Sequence, residues 1–350
     1  MNRGPKLPRC PRHPDSRVWR DGSYATRRGV RQRYRCVPLG NARPHRFVAA
    51  DPQTPHGFSY TAREIAAALV EVGRGASYRT AASHARERAD AAESTDGNTV
   101  AGWVESFAPA VFERHTVRSW PSVVALDSVA FSARTAPFRV FAALGAPGGR
   151  GEQIVALEAV SAARGRRAQR SWERFLRSRE GVPRRVVCAA DAELLEAVDV
   201  VWEGEPSVSV SPLDLARQLR ELLLEEGFAG DELFFRAASR ALEGRARWQA
   251  FLELPAPRRL RRLEDWLGGH AEQVEWQLEH DRDAAGTAAA LEEKLSLLNQ
   301  RLAPRRGNLR NRRRTNRLLM LAQLDLNGHA DERAYASAID QTLKRERREA

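Results

Sequence analysis

Ser122-Val-Val-Ala-Leu-Asp-Ser-Val-Ala-Phe131 is apolar almost throughout and holds one acid, Asp127. A run of this kind suits a strand buried on both faces. A carboxylate inside it is costly unless it is paired or binds a metal. Arg185-Val-Val-Cys-Ala-Ala-Asp191 repeats the pattern. Two carboxylates on two buried strands suit a divalent-metal site for phosphoryl transfer. The competing reading has each Asp begin a turn or cap a helix.

The flanking sequence gives the two acids a common frame. Phe138–Leu144 reads as a second strand, followed by the turn sequence Gly-Ala-Pro-Gly-Gly, and Gln153–Val160 reads as a third. Residues 167–178 predict an amphipathic helix through Trp172, Phe175 and Leu176, before the strand that ends at Asp191. Three strands, a helix and a fourth strand are compatible with a ribonuclease-H-like α/β layout, in which the first and fourth strands lie side by side. Asp127 and Asp191, 64 residues apart, would then meet at one end of the sheet. Leu194, Leu195 and Val198 begin the next helix. Cys188 reads as a buried apolar residue rather than a nucleophile.

From Leu213 onward the chain reads as helices, with Trp248, Phe251, Leu260, Trp266 and Trp276 as core or interface residues. On a helix, Leu291, Leu295, Leu298 and Leu302 form one stripe. Glu292 lies at the edge of that stripe and Glu293 points away, so Glu292 is the better candidate to face the sheet. The bland alternative is that both are solvated surface acids. Residues 305–317 then carry seven Arg and three Asn. Arg305, Arg306, Arg310, Arg312, Arg313, Arg314 and Arg317 would suit a surface that tracks a DNA backbone. The alternative is a solvated charge run. Leu318, Leu319, Leu321 and Leu324 anchor the following helix.

Ahead of the central region, residues 1–50 hold 13 Lys or Arg and two acids. Cys10-Pro-Arg-His13 is a ligand pair spaced by two residues, and Cys36 is followed by His45. Cys10, His13, Cys36 and His45 would make a closed tetrahedral zinc site, which would supply much of the stability of so short a segment. Arg20-Asp-Gly-Ser23 between them reads as a hairpin turn. The alternative is a disordered basic arm. Three short helices follow. Thr61 and Glu64 form a capping box at the first, Gly73 and Gly75 end it, and a second runs from Ser77 to about Ala91. Asp96-Gly-Asn-Thr99 starts the third, with Val100, Trp103 and Val104 inward. This resembles a helix-turn-helix in which Asn98 or Thr99 caps the last helix beside a phosphate. An ordinary three-helix bundle is the alternative.

Composition agrees with a globular, nucleic-acid-facing protein. The net charge is +12, and 42% hydrophobic with 29% charged residues excludes a disordered chain. Such a basic excess favours polyanionic partners. Only Lys6, Lys294 and Lys344 are lysines, so nearly every cation is Arg, which suits bidentate phosphate contacts. Three Cys make no disulfide framework. No apolar run is long enough to span a membrane, and the first residues lack the apolar core of a secretory leader. A cytoplasmic, nucleoid-associated protein is expected.

Taken in order, these parts resemble the DDE transposases of bacterial insertion sequences, closest to the Mutator-like group. The resemblance rests on Cys10-Pro-Arg-His13, Gln32-Arg-Tyr-Arg-Cys36, Asp127 and Asp191-Ala-Glu-Leu-Leu-Glu-Ala-Val198. It continues through Leu291-Glu292, Arg306-Gly-Asn-Leu-Arg-Asn311 and Thr315-Asn-Arg-Leu-Leu319, and so covers about residues 8–328. It implies a ribonuclease-H-like core interrupted by an all-helical insertion, with Asp127, Asp191 and Glu292 as the triad holding two Mg²⁺, or Mn²⁺ in their place. Terminal inverted repeats and target DNA, both double-stranded, would be the partners of a homo-oligomer. The implied parts are a zinc-ribbon-like segment at 1–50, a helix-turn-helix at 57–117, the first part of the core at 120–212, the insertion at 213–285, the Glu helix with the Arg-rich motif at 286–328 and a tail at 329–350. Family members commonly carry a Cys-x-x-His after the second Asp. The corresponding stretch here, Ser207–Asp214, has neither residue. A DNA-binding regulator that no longer cuts is the competing functional reading.

Overall fold

The structure is a computed structural model that describes residues 7–10, 13, 15–26, 29–38, 43–48, 60–89, 96–131, 137–149, 151–228, 232–256, 259–280, 283–303, 309 and 311–349. It divides into two compact units, residues 1–72 with 76–111 and 330–350, and residues 73–75 with 112–329.

The first unit begins with a three-stranded antiparallel sheet of β1 (Arg17–Thr26), β2 (Gly29–Val37) and β3 (His45–Val48). The Asp-Gly at 21–22 is not the hairpin turn that its composition suggested. It lies within β1, where the register shifts between Arg20 and Ser23 and Gly22 takes φ +75°. A glycine in the left-handed region absorbs the extra residue of a bulge as readily as it makes a turn. The strands reverse after Thr26 instead, where Thr26 pairs with Gly29.

Helices α1 (Ala62–Gly73), α2 (Tyr78–Ala89) and α3 (Gly97–Glu113) follow. At the start of α1 the expected capping box is formed. The Glu64 carboxylate accepts from the Thr61 N–H, and the Glu64 N–H donates to the Thr61 hydroxyl. Ile65, Leu69 and Val72 are buried together on one face, as are Val100, Trp103 and Val104 on α3.

The second unit is built on a five-stranded mixed sheet. Strands β4 (Val123–Phe131), β5 (Phe138–Gly145) and β6 (Gln153–Ser161) form an antiparallel meander. Helix α4 (Arg166–Leu176) leads to β7 (Arg185–Cys188), and α5 (Ala192–Trp202) leads to β8 (Ser207–Val210). The order is β6-β5-β4-β7-β8, with β4, β7 and β8 mutually parallel. The first and fourth strands of this sheet are therefore neighbours. Period-two alternation sends Val124 and Leu126 into a core with Phe141, Trp172, Phe175, Leu194 and Val198, beneath α4 and α5. Phe141 stacks on Trp172 with ring centroids 3.6 Å apart. Ala125 and Asp127 face the other side.

Beyond β8 the chain is helical: α6 (Pro212–Glu225), α7 (Leu233–Arg240), α8 (Arg245–Glu253) and α9 (Arg261–His280). Leu219, Phe234, Phe235, Trp248, Phe251 and Trp266 form a core of their own there, whereas Trp276 is 42% exposed. Helix α10 (Ala284–Leu302) buries the stripe Leu291, Leu295, Leu298 and Leu302 and lies against β4, β5 and β7.

Helix α11 (Arg312–Leu326) runs along β6. Three amide side chains tie the two together. Asn316 Oδ1 accepts from the Ala159 N–H at 2.7 Å and Asn327 Oδ1 from the Ile154 N–H at 2.9 Å, while Gln323 Nε2 donates to the Ile154 carbonyl. The last segment, expected as a tail, is the helix α12 (Glu332–Glu349). It belongs to the first unit and buries Tyr335, Ile339 and Leu343. Among the described residues, no helix is long and apolar enough to cross a membrane.

Candidate active site and zinc site

Asp127 stands on the face of β4 turned toward α6 and α10. Its pocket is lined by Ala125, Ser211, Asp214, Arg217, Leu291 and Glu292, among others. Burial pushes its carboxyl up from 3.8 to about 7, against the pull of the Ser128 backbone N–H, which donates to Oδ1. Asp214 and Glu292 raise it further, and Arg217 opposes them. The helical spacing selected Glu292 over Glu293 for the sheet side, and Glu292 reaches this pocket.

Asp214 and Arg217 carry no role in the sequence reading above. Ser211-Pro-Leu-Asp214 is a helix start: the Ser211 hydroxyl accepts from the Asp214 N–H, and Pro212 occupies the first helical position. That signal was readable. The convergence of α6 with α10 was not, because it depends on where β8 sits in the sheet. Arg217 bridges the two helices. Its Nη1 donates to Asp214 Oδ1 and its Nη2 to Glu292 Oε1, each at 2.9 Å.

Asp191 is placed differently. β7 ends at Cys188, and Asp191 caps α5 by accepting from the Leu194 N–H at 3.2 Å. Its other oxygen accepts from Arg139 Nη1, also at 3.2 Å. Arg139 pairs with Ala130 across β5–β4, as Phe141 pairs with Ser128, so it leaves the sheet on the α4–α5 face. The Asp191 carboxylate is thus engaged by Arg139 and is not among the residues that line the Asp127 pocket. Burial, and then a hydrogen bond with Glu193, raise its pKa. Glu193 lies at the surface and is held low by the Gly165 N–H that it accepts.

A divalent cation therefore fits part of the expected triad. Asp127 and Glu292 share a pocket, and Asp127 is a half-buried carboxylate that a cation would relieve. Among the described residues, the group of three or more His, Cys, Asp or Glu close enough to hold a metal is a different one.

That group is Cys10, His13, Cys36 and His45, whose ligand atoms all lie within 4.8 Å of one another. Cys10 Sγ is 3.3 Å from His45 Nε2, and Cys36 Sγ is 3.5 Å from His13 Nδ1. Tetrahedral zinc with two sulfur and two nitrogen ligands separates its donors by about 3.3–3.8 Å. The four residues could therefore hold zinc. The long gap between Cys36 and His45 is no obstacle, because the two face each other across the β2–β3 pair.

The DNA-contact candidates divide. The cap expected of Asn98 or Thr99 is Asp96, whose Oδ1 accepts from the Thr99 N–H at 2.9 Å. Thr99 Oγ1 and Asn98 Nδ2 also donate to Asp96. An Asp satisfies these N–H groups with full negative charge, so the end of α3 already holds an anion. Arg312, Arg313 and Arg314 are exposed in the first turn of α11, which Asn311 caps. Arg317 is half-buried and donates to Met320 Sδ at 3.7 Å. Arg305, Arg306 and Arg310 lie outside the described residues.

No protein-family model and no curated protein matches the chain. Among solved structures it is similar to a chain in the cryo-EM structure of a simian T-cell lymphotropic virus intasome in complex with PP2A regulatory subunit B56 gamma. The identity is 11% and the TM-score 0.20, over 42% of this chain and 60% of that one.

Proposed function

We propose that the protein is a transposase, a DNA strand-transfer enzyme with a ribonuclease-H-like catalytic unit and a zinc-stabilised N-terminal sheet. The observation that carries this reading is the parallel pairing of β4 with β7 in the order β6-β5-β4-β7-β8, with α10 delivering Glu292 to the pocket of Asp127. A divalent metal held by Asp127 and Glu292 would supply Lewis-acid chemistry for phosphoryl transfer. Asp127 offers a half-buried carboxylate on a strand, and Glu292 a more exposed one on a helix. Asp191 joins them when its carboxylate leaves Arg139. The exposed Arg312–Arg314 turn binds DNA phosphates at a helix N-terminus, where the backbone N–H groups add to the attraction. Double-stranded DNA carrying the terminal repeats is the substrate, and cutting two ends together calls for an oligomer.

The test is strand cleavage of DNA fragments carrying the flanking repeats, with Mg²⁺ or Mn²⁺ and with EDTA as control. Metal-dependent nicking at the repeat ends is expected, lost in Asp127→Asn while DNA binding persists. Cleavage that survives Asp127→Asn removes the pocket from the role. Tight binding without any cut points to a regulator.

A further inference from the structure

We propose that Arg217 is the resident cation of the Asp127 pocket, a guanidinium clamp that competes with an incoming divalent ion for the pocket's carboxylates. This rests on the functional reading above and adds a residue to it. One guanidinium engages two carboxylates that are distant in sequence, through separate nitrogens and at equal 2.9 Å distances: Asp214 on α6 and Glu292 on α10. Arg217, Asp214 and Glu292 all line the pocket into which Asp127 projects. A planar fork suits this bridge, and a lysine cannot reproduce it.

The clamp is built to open. The Arg217 side chain is 53% exposed and that of Glu292 52%, while Asp214 is 18% exposed. Ion pairs this exposed are weak individually. Two of ordinary strength correspond together to a competition of about two- to thirtyfold against another cation. Arg217 Nη2 takes up one lone pair of Glu292 Oε1 and sets a positive charge beside the pocket, so it competes with a divalent ion for that carboxylate. Arg217 has room to swing outward, since half of its side chain already faces solvent. The same clamp draws α6, the first helix after β8, to α10, so binding at the pocket is coupled to how these helices meet.

The experiment is a Mn²⁺ titration of the zinc-loaded full chain, followed by electron paramagnetic resonance. It compares wild type, Asp127→Asn, Arg217→Ala and Arg217→Lys, with circular dichroism to check folding. Both Arg217 variants are expected to bind Mn²⁺ more tightly, by about two- to thirtyfold for the alanine. The lysine variant separates the clamp from bulk charge. It keeps the cation and loses the fork, so tightening there supports the clamp, and wild-type or weaker affinity overturns it. Asp127→Asn separates the two levels of inference. If it abolishes Mn²⁺ binding while the Arg217 variants bind as wild type does, the clamp alone fails. If Mn²⁺ binding is absent, or untouched by Asp127→Asn, the pocket reading fails and the clamp with it.

Discussion

Replacing Asp127 by Asn should make the protein more stable, and only above a definable pH. The carboxyl is displaced from 3.8 to about 7, chiefly because burial disfavours its charged form. Below about pH 4 it is protonated in both the folded and the unfolded chain, and burying it carries no ionic penalty. Between about 4 and 7 the unfolded chain releases the proton while the folded chain keeps it. Stability is therefore lost steadily as pH rises through that window, and the full penalty holds above 7. The gap between 3.8 and about 7 corresponds to about 4 kcal/mol at most, at roughly 1.4 kcal/mol per pH unit. Asn keeps an oxygen for the Ser128 N–H and cannot ionise. Urea unfolding of both proteins at pH 4, 6 and 8 should give coincident midpoints for the second unit at pH 4 and a growing advantage for the variant above it. Saturating Mg²⁺ at pH 8 should close the gap by stabilising wild type alone. Parallel pH profiles for the two proteins would refute the buried-carboxylate account.

Two further outcomes concern the parts around this pocket. Metal analysis of purified protein should find about one zinc per chain, and Cys36→Ala should lose it along with the order of the β1–β3 sheet. Retained stoichiometric zinc in that variant would move the site elsewhere. Changing Arg312, Arg313 and Arg314 together to Ala should weaken binding to all DNA sequences alike and flatten the salt dependence of log K by up to about 2.7, near 0.9 per phosphate contact. An unchanged slope would take this turn off the DNA.

The meander β4–β6 was legible because its strands are long and apolar, and β4 carries its acid within the run. The capping box at Thr61 and Glu64 and the leucine stripe of α10 were legible for similar local reasons. What escaped the sequence was mostly non-local. Ser207–Val210 is a strand of four half-polar residues, and it becomes recognisable once β7 is beside it. The hold of Arg139 on Asp191 joins β5 to the start of α5, a long-range pairing that no spacing within 185–191 encodes. The Asp-Gly at 21–22 misled because a bulge and a turn ask the same of glycine. Asp214 ends the stretch where the resemblance led one to look for a Cys-x-x-His, Arg217 lies one helical turn beyond it, and the partner of Arg217 lies on a helix 75 residues away.

The amide side chains of α11 have a consequence for how the protein avoids sticking to itself. An outer strand offers a ladder of unpaired backbone groups to any passing chain, which is how sheets extend into aggregates. Asn316, Gln323 and Asn327 fill part of that ladder on β6 with side chains fixed to a helix, so the helix stands where a sixth strand would otherwise add. A mimic of this kind satisfies the edge without offering a new one. Growth of the sheet is terminated there by three amide side chains, of which Asn316 belongs to the arginine-rich run and Gln323 and Asn327 follow it.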